Sequence, residues 1–96
     1  MQSIIQNERC CFFCGVTTGL ELHHCIHGTA NRRLADEDGL TVWLCGRCHR
    51  GQYGVHGRDG HGLDDVLKKI AETRWLQMTK KTKADFIARY GRNYLD

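Results

Sequence analysis

Two short runs of apolar residues, each followed by potential metal ligands, predict the sheet of this protein. Leu20-Glu-Leu22-His23 alternates apolar and polar residues, as a strand with one buried face does. Leu40-Thr-Val-Trp-Leu44 is rich in β-branched and aromatic residues and leads directly into Cys45. Between these runs, residues 31–37 precede Gly39, a typical helix-ending residue, so we expect a helix of one or two turns to connect the strands.

Helices are predicted for most of the second half of the chain. A short helix is expected over residues 46–50, and the glycine-rich stretch 51–62 is expected to be an irregular loop. A long helix is predicted over residues 63–78, because its apolar residues recur at helical spacing and its first turn is acidic. The residues of this apolar stripe are Leu67, Ala71, Trp75 and Met78. A last short helix is predicted after Thr82, whose spacing to Asp85 is that of a capping box.

The length and charge of the chain limit what this pattern can build. The 96 residues are enough for one small domain of the α+β class, with a core over residues 1–62 and a C-terminal helical extension over residues 63–96. The formal net charge of +3 permits a nucleic-acid partner but does not require one. No run approaches transmembrane length, and the N-terminus lacks the apolar region of a secretion signal. We therefore expect no membrane partner and a cytoplasmic protein.

Two C-x2-C pairs form the most specific motif in the chain. They are Cys11 with Cys14 and Cys45 with Cys48. Together they supply four thiolates with the spacing of a closed, structural zinc site. Cys10 is an alternative partner for Cys14, but Cys11 gives the same spacing as the second pair, so Cys10 is expected to be a spare thiol. A disulfide framework is the other way in which a small domain uses cysteines, and the paired spacing favours zinc over it.

Three histidines lie close to these cysteines in the sequence. His23 and His24 are adjacent at the end of the first predicted strand, where neighbouring side chains point to opposite faces. The pair by itself fits one buried and one exposed histidine without any function. His49 follows Cys48 directly and lies in a helix expected to pack against that strand. A strand histidine and a helix histidine in such a unit predict a second metal site, for a divalent ion.

These motifs together resemble the HNH, or His-Me finger, endonucleases, and more narrowly the small zinc-bearing HNH proteins of bacteriophages and prophages. The resemblance rests on Leu22-His23-His24, on the strand 42–45 and on Cys45-x2-Cys48-His49, and it extends over nearly the whole chain. It implies a ββα-metal unit with a four-cysteine structural zinc site and C-terminal helices. It also implies an enzyme that cleaves DNA with the help of a metal ion.

The resemblance assigns roles to individual histidines. His23 and His49 would bind the catalytic divalent ion, His24 would be the general base, and His56 is a candidate third ligand. The ion would be Mg²⁺, Mn²⁺, Ni²⁺ or Zn²⁺, in addition to the structural Zn²⁺. Neutral His24 would take a proton from the water that attacks the phosphodiester, since imidazole as a residue type has a pKa of about 6.5. The residues expected to contact DNA are Asn31, Arg32, Arg33, Arg50 and Arg58.

One departure from the family pattern leaves a second function open. The middle asparagine of the motif is expected near residues 37–40, where the chain reads Glu-Asp-Gly-Leu. Either Asn31 braces the loop in its place, or the role is vacant. The alternative function is a catalytically inactive zinc-finger-like module that binds DNA or protein on the same fold, and the helix 63–78 also fits a zinc-stabilised adaptor. The resemblance implies a bacterial host cytoplasm, with DNA and other phage DNA-processing proteins as partners.

Overall fold

The two strands and the helix that connects them form the centre of the fold. A computed structural model of the chain describes residues 2–95, apart from the side chain of His61. These residues form an α+β fold with one two-stranded sheet and four helices, and this class was predicted from the sequence. In chain order the elements are β1 Leu20–His24, α1 Thr29–Asp38, β2 Thr41–Cys45, α2 Gly46–Arg50, α3 His61–Thr79 and α4 Lys83–Tyr90. No helix within the described residues is long and apolar enough to cross a membrane.

The strands β1 and β2 pair in antiparallel orientation, and their register decides which side chains are buried. Leu20 lies opposite Cys45, so the first strand begins beside the cysteine that ends the second. His23 lies opposite Val42, and both side chains are buried. Because strand side chains alternate between faces, Leu22 points to the other face and is exposed. β1 therefore places the side chain of His23 on the buried face of the sheet, and those of its two neighbours on the opposite face.

Asp38, the last residue of α1, joins the sheet unit to the C-terminal helices. The helix ends there because Gly39 adopts the left-handed conformation, with φ of 73°. The Asp38 carboxylate accepts hydrogen bonds from Trp75 Nε1 at 2.9 Å and from the Tyr90 hydroxyl at 2.6 Å. Arg89 adds two more, from Nε at 2.6 Å and from Nη2 at 2.9 Å. The C-terminal extension is thereby fixed against α1.

The helices α3 and α4 pack through the apolar stripe that the sequence predicts, with one exception. The buried residues of the stripe are Leu67, Ala71 and Trp75. Met78 is 64% exposed, so its predicted place on the stripe is wrong. The Phe86 ring of α4 packs against Trp75, which lies one turn before Met78 on α3. The buried part of the stripe ends at Trp75. The predicted capping box of α4 is present, because Thr82 and Asp85 exchange hydrogen bonds.

The glycine-rich segment after α2 folds back against the backbone of that helix. The Val55 N–H donates to Cys48 O and the His56 N–H donates to His49 O, both at 2.9 Å. Gly54 permits this close approach, since a Cβ at this position would lie 2.7 Å from the Cys48 carbonyl oxygen. The segment predicted to be an irregular loop therefore folds back along α2 through backbone hydrogen bonds and brings His56 beside His49.

Candidate metal centres

The first candidate centre is a cluster of four cysteines. The sulfur atoms of Cys11, Cys14, Cys45 and Cys48 lie within 4.8 Å of one another. The Sγ atoms of Cys14 and Cys45 are 3.6 Å apart. Thiolates on a tetrahedral zinc ion, with Zn–S bonds of about 2.3 Å, would be about 3.8 Å apart. The cysteines predicted as structural ligands are thus positioned as a possible zinc site.

Local backbone structure brings the two cysteine pairs together. The first pair lies in a turn before β1, in which Gly15 has φ of 81° and donates its N–H to Cys11 O at 2.9 Å. The Phe12 N–H donates to Trp43 O at 2.8 Å, which ties this turn to β2. The second pair spans the end of β2 and the first turn of α2. The cluster therefore fastens the N-terminal turn to the strand–helix junction.

Backbone amides favour the thiolate form at two of these cysteines. Burial raises the pKa of Cys11, but hydrogen bonds from backbone N–H groups, led by that of Cys45, outweigh it and lower this pKa to about 6. The backbone N–H of Cys48 lowers the pKa of Cys45. Burial, followed by hydrogen bonds with the neighbouring sulfur groups, raises the pKa of Cys48. The charge of a bound cation would reverse that last effect, because a coordinating thiol is deprotonated.

The remaining cysteines lie outside this cluster. Cys10, the alternative partner for Cys14, lies with its Sγ 3.8 Å from the side-chain amide of Gln6. Cys25 is fully buried just after β1, and burial raises the pKa of its thiol to about 12. All six cysteines are free, so the described residues form no disulfide framework.

The second candidate centre is a cluster of histidines from three different segments. His23 of β1, His49 of α2 and His56 of the glycine-rich segment place their ligand nitrogens within 4.8 Å of one another. The ring centroid of His23 lies 5.2 Å from that of His49 and 5.0 Å from that of His56. The centroids of His49 and His56 are 4.7 Å apart. The structure thus brings together the three residues predicted to bind a divalent ion.

His23 is the buried member of this cluster. Its side chain is 1% exposed, and its Nε2 has no hydrogen-bond partner among the described residues. Burial first, and then the neighbouring imidazoles, lower the pKa of His23 to about 3. The ring is therefore neutral near pH 7, with a lone pair available. A buried polar nitrogen without a partner is costly, and a bound metal ion would remove that cost.

An acidic residue forms a hydrogen bond with His49, the member of the cluster that lies on α2. His49 Nδ1 lies 2.7 Å from Glu21 Oε1, and Arg50 makes two hydrogen bonds to the same carboxylate, at 2.9 and 2.7 Å. The hydrogen bond from Arg50, and then that from His49, lower the pKa of Glu21 to about 2. When His49 donates Nδ1–H to Glu21, Nε2 keeps the lone pair that a metal requires.

A fourth histidine, His27, lies beside the cluster, with its ring centroid 5.1 Å from those of His23 and His56, and the sequence alone did not identify it. His27 Nε2 lies 2.5 Å from Asp64 Oδ1, and Lys68 Nζ lies 2.8 Å from Asp64 Oδ2. The ligand atoms of His23, His27 and Asp64 form a second group within 4.8 Å. The sequence contains two indications of this contact: His27 follows His23 and His24 closely, and the first turn of α3 is acidic. His27 and Asp64 are 37 positions apart, so no local pattern connects them.

The histidine cluster opens into a cavity that also reaches His24. The cavity has a volume of about 470 Å³, and its lining includes His23, His24, His27, His49, His56 and Arg32. His24 Nε2 lies 3.3 Å from Asp36 Oδ1. The residue predicted to be the general base therefore lies on the same cavity as the predicted metal ligands.

The residues predicted to contact DNA differ in the contacts that they make within the protein. They are Asn31, Arg32, Arg33, Arg50 and Arg58. Arg32 lines the cavity and is exposed. The other three arginines form ion pairs with acidic residues of the chain. Asn31 donates its side-chain N–H to the Tyr90 carbonyl at 3.0 Å and so joins α1 to α4.

Comparison of the chain with family models, with curated proteins and with solved structures found no match. The geometry of the two clusters is therefore the basis for assigning a function. One cluster offers four thiolates to a structural ion, and the other offers imidazoles to an ion beside an open cavity.

Proposed function

We propose that this protein is a metal-dependent DNA endonuclease of the HNH type, which acts in phage DNA processing and uses His24 as its general base. The environment of His23 carries the proposal. Its ring is buried, its Nε2 lacks a partner, and the imidazoles of His49 and His56 surround it. His24 follows it on the strand and lines the same cavity, so an ion and a base can act on one substrate.

The order of the elements supports a ββα-metal architecture. β1 supplies His23 and His24, and β2 leads without a break into α2, which supplies His49. The cysteine cluster lies at this strand–helix junction, so a structural zinc ion would hold α2 against the sheet. That constraint would in turn keep the helix ligand close to the strand ligands.

The donor atoms suit a divalent ion with three protein ligands and open positions. Imidazole binds Zn²⁺, Ni²⁺ and related ions readily, and three protein ligands leave room for water and substrate. Once bound, the ion would supply Lewis-acid stabilisation of negative charge on the phosphate and on the departing 3′ oxygen. Glu21 would support it by fixing the orientation of the His49 ring.

His24 would carry the proton transfer. If Nε2–H is donated to Asp36, Nδ1 holds the lone pair that accepts a proton from water. The water oxygen forms a bond to phosphorus as the bond to the 3′ oxygen breaks. Asp36 would hold the ring in the productive orientation, a role that a carboxylate commonly plays for a catalytic histidine. Arg32, exposed at the cavity, would bind a backbone phosphate and position the strand.

The second candidate function is a module that binds DNA without cleaving it. The observation that favours it concerns Asn31, whose amide is engaged by the Tyr90 carbonyl. This asparagine therefore stabilises the helical packing and is not available to brace the loop as the family asparagine would. If no residue braces the loop, the protein could bind DNA without holding its catalytic groups in the arrangement that cleavage requires.

The test is cleavage of plasmid DNA with Mg²⁺, Mn²⁺ or Ni²⁺, with a chelator control. His24→Ala should lower the cleavage rate roughly 10²–10⁴-fold, the typical contribution of a general base. Zinc content and DNA affinity should stay unchanged in this variant, and Cys10→Ser, outside both clusters, should behave as wild type. Wild-type protein that binds DNA but cleaves it with none of these ions would favour the binding module. Cleavage that persists in His24→Ala would contradict the role of the base.

A further inference from the structure

A second cavity lies on the face of the sheet that carries His24. Side chains alternate along a strand, so Leu22 and His24 point to the same face of β1, and Trp43 of β2 lies directly opposite Leu22. This cavity has a volume of about 310 Å³ and is lined by the N-terminal segment, both strands and α1. Leu22 lines both cavities, and Asp36, the partner of His24, lines the second. The two cavities are therefore neighbours, and a DNA strand bound at His24 can reach the second one.

A planar cation and an aromatic ring form one wall of the second cavity. The guanidinium carbon of Arg9 lies over the Trp43 ring, 4.6 Å from the ring centroid, and both residues line the cavity. Gln6 holds the backbone here, because its side-chain oxygen accepts from Trp43 N–H at 2.8 Å and its nitrogen donates to Cys10 O at 2.6 Å. Nucleobases stack on aromatic rings and on guanidinium planes in many protein complexes. This wall therefore offers a flat, fixed surface to a base.

The charges of the second cavity favour a base over a phosphate. Glu8 and Asp36 are acidic, and Arg9 is the one basic residue among the described residues that line it. Phosphate groups bind where positive charge is in excess, which is not the case here. Asn7 also lines the cavity, and its exposed side chain makes no hydrogen bond to the described residues. Its amide offers a donor and an acceptor, the groups that pair with the edge of a base.

We propose that the second cavity binds one unpaired nucleobase of the DNA strand that is cleaved, stacked against Arg9 and Trp43 with Asn7 at its edge. The inference rests on the proposed function and extends it to the form of the DNA. Within a duplex, both faces of a base are stacked on neighbouring bases and its edge is paired, so the base must leave the stack to enter a protein cavity. The substrate is therefore DNA with an unpaired nucleotide next to the cleaved bond.

The test compares the affinity of the protein for three DNA duplexes with the same base-paired length, by fluorescence anisotropy. One is fully paired, one carries a single-nucleotide bulge, and one carries an abasic bulge with the same phosphates. Zinc-loaded His24→Ala protein is used without an added divalent ion, so that no strand is cleaved. We expect the base-bearing bulge to bind roughly 5–150-fold more tightly than the paired duplex, the contribution of one stacked base, and the abasic bulge to lose most of this preference.

Variants of the stacked pair then locate the base. Trp43→Leu should abolish the preference for the base-bearing bulge over the abasic one. Arg9→Lys keeps the charge but removes the plane, so it should lower this preference roughly 2–5-fold, and it serves if Trp43→Leu does not fold. Arg92→Ala is the matched control, because Arg92 lies over the Tyr94 ring, 5.5 Å from its centroid, and outside the lining of this cavity. Its preference should match that of the His24→Ala parent.

The outcomes separate this inference from the proposed function. Equal affinity for the bulged and the paired duplex, or for the base-bearing and the abasic bulge, would overturn the inference, while cleavage of plasmid DNA by wild-type protein would still support the nuclease. A base preference that survives in both Trp43→Leu and Arg9→Lys would place the base elsewhere and overturn the inference as well. If the protein binds none of the three duplexes, the inference and the proposed function both fail.

Discussion

Gly54→Ala should disturb the proposed ion site without removing any of its ligands. Gly54 is buried against α2, where a Cβ would lie 2.7 Å from the carbonyl oxygens of both Arg47 and Cys48. Both oxygens belong to the backbone of the helix that also carries His49. They cannot move apart without distorting that helix, so the glycine-rich segment must move instead.

The size of the effect follows from the contacts that this segment would lose. Ordinary contact begins near 3.4 Å, so the new methyl group must move by about 0.7 Å. Such overpacking typically costs about 1–3 kcal/mol. The hydrogen bonds from Val55 N–H to Cys48 O and from His56 N–H to His49 O would weaken as well, each worth about 0.5–1.5 kcal/mol. Together we expect a loss of about 2–4 kcal/mol, or roughly 8–32 °C in Tm for a domain of this size.

Thermal unfolding of the zinc-loaded protein, followed by circular dichroism, measures the loss of stability, and a Co²⁺ titration measures the displacement of His56. Gly62→Ala is the matched control, because a Cβ there meets no atom within 4 Å. Its Tm should equal or exceed that of wild type, since alanine favours the helix that contains it. A Gly54→Ala protein with wild-type Tm and wild-type Co²⁺ affinity would refute this account of the segment.

Three further predictions concern the zinc cluster, the helical packing and DNA binding. Cys45→Ser should abolish tight zinc binding and unfold the domain, whereas Cys10→Ser should keep one zinc per chain by metal analysis. Asp38→Ala should lower the free energy of unfolding by about 3–5 kcal/mol in urea titrations, because it leaves partly buried donors of α3 and α4 unpaired. Arg32→Ala should weaken DNA binding on unrelated sequences and flatten its salt dependence by about one charge, and Arg33→Ala, paired with an acidic neighbour, should do so less. Equal losses in both arginine variants would contradict the placement of DNA at the cavity.

The cysteine pairs of the possible zinc site were predictable, because short spacing in the sequence constrains the distance between two residues directly. Two residues between cysteines require only a tight turn, which is why Cys11 was preferred to Cys10 and why it joins the cluster. The strands and helices were predictable for a similar reason, because the burial of one face makes apolar residues recur at a regular short spacing along the chain. The capping box at Thr82 is likewise a contact within one turn.

Tertiary structure alone decided which groups contact His27 and Asn31. Asp64 supports His27 across 37 positions, and Asn31 binds the Tyr90 carbonyl across 59 positions. Apolar periodicity indicates which side of an element is buried, but the residues that meet across elements depend on the packing of the whole chain. Met78 follows the helical period and is nevertheless exposed, because the stripe extends beyond the part of α3 that packs against Phe86. Long-range packing therefore determined the contacts of the histidine cluster, whereas the short-range spacing of the sequence predicted the cysteine cluster.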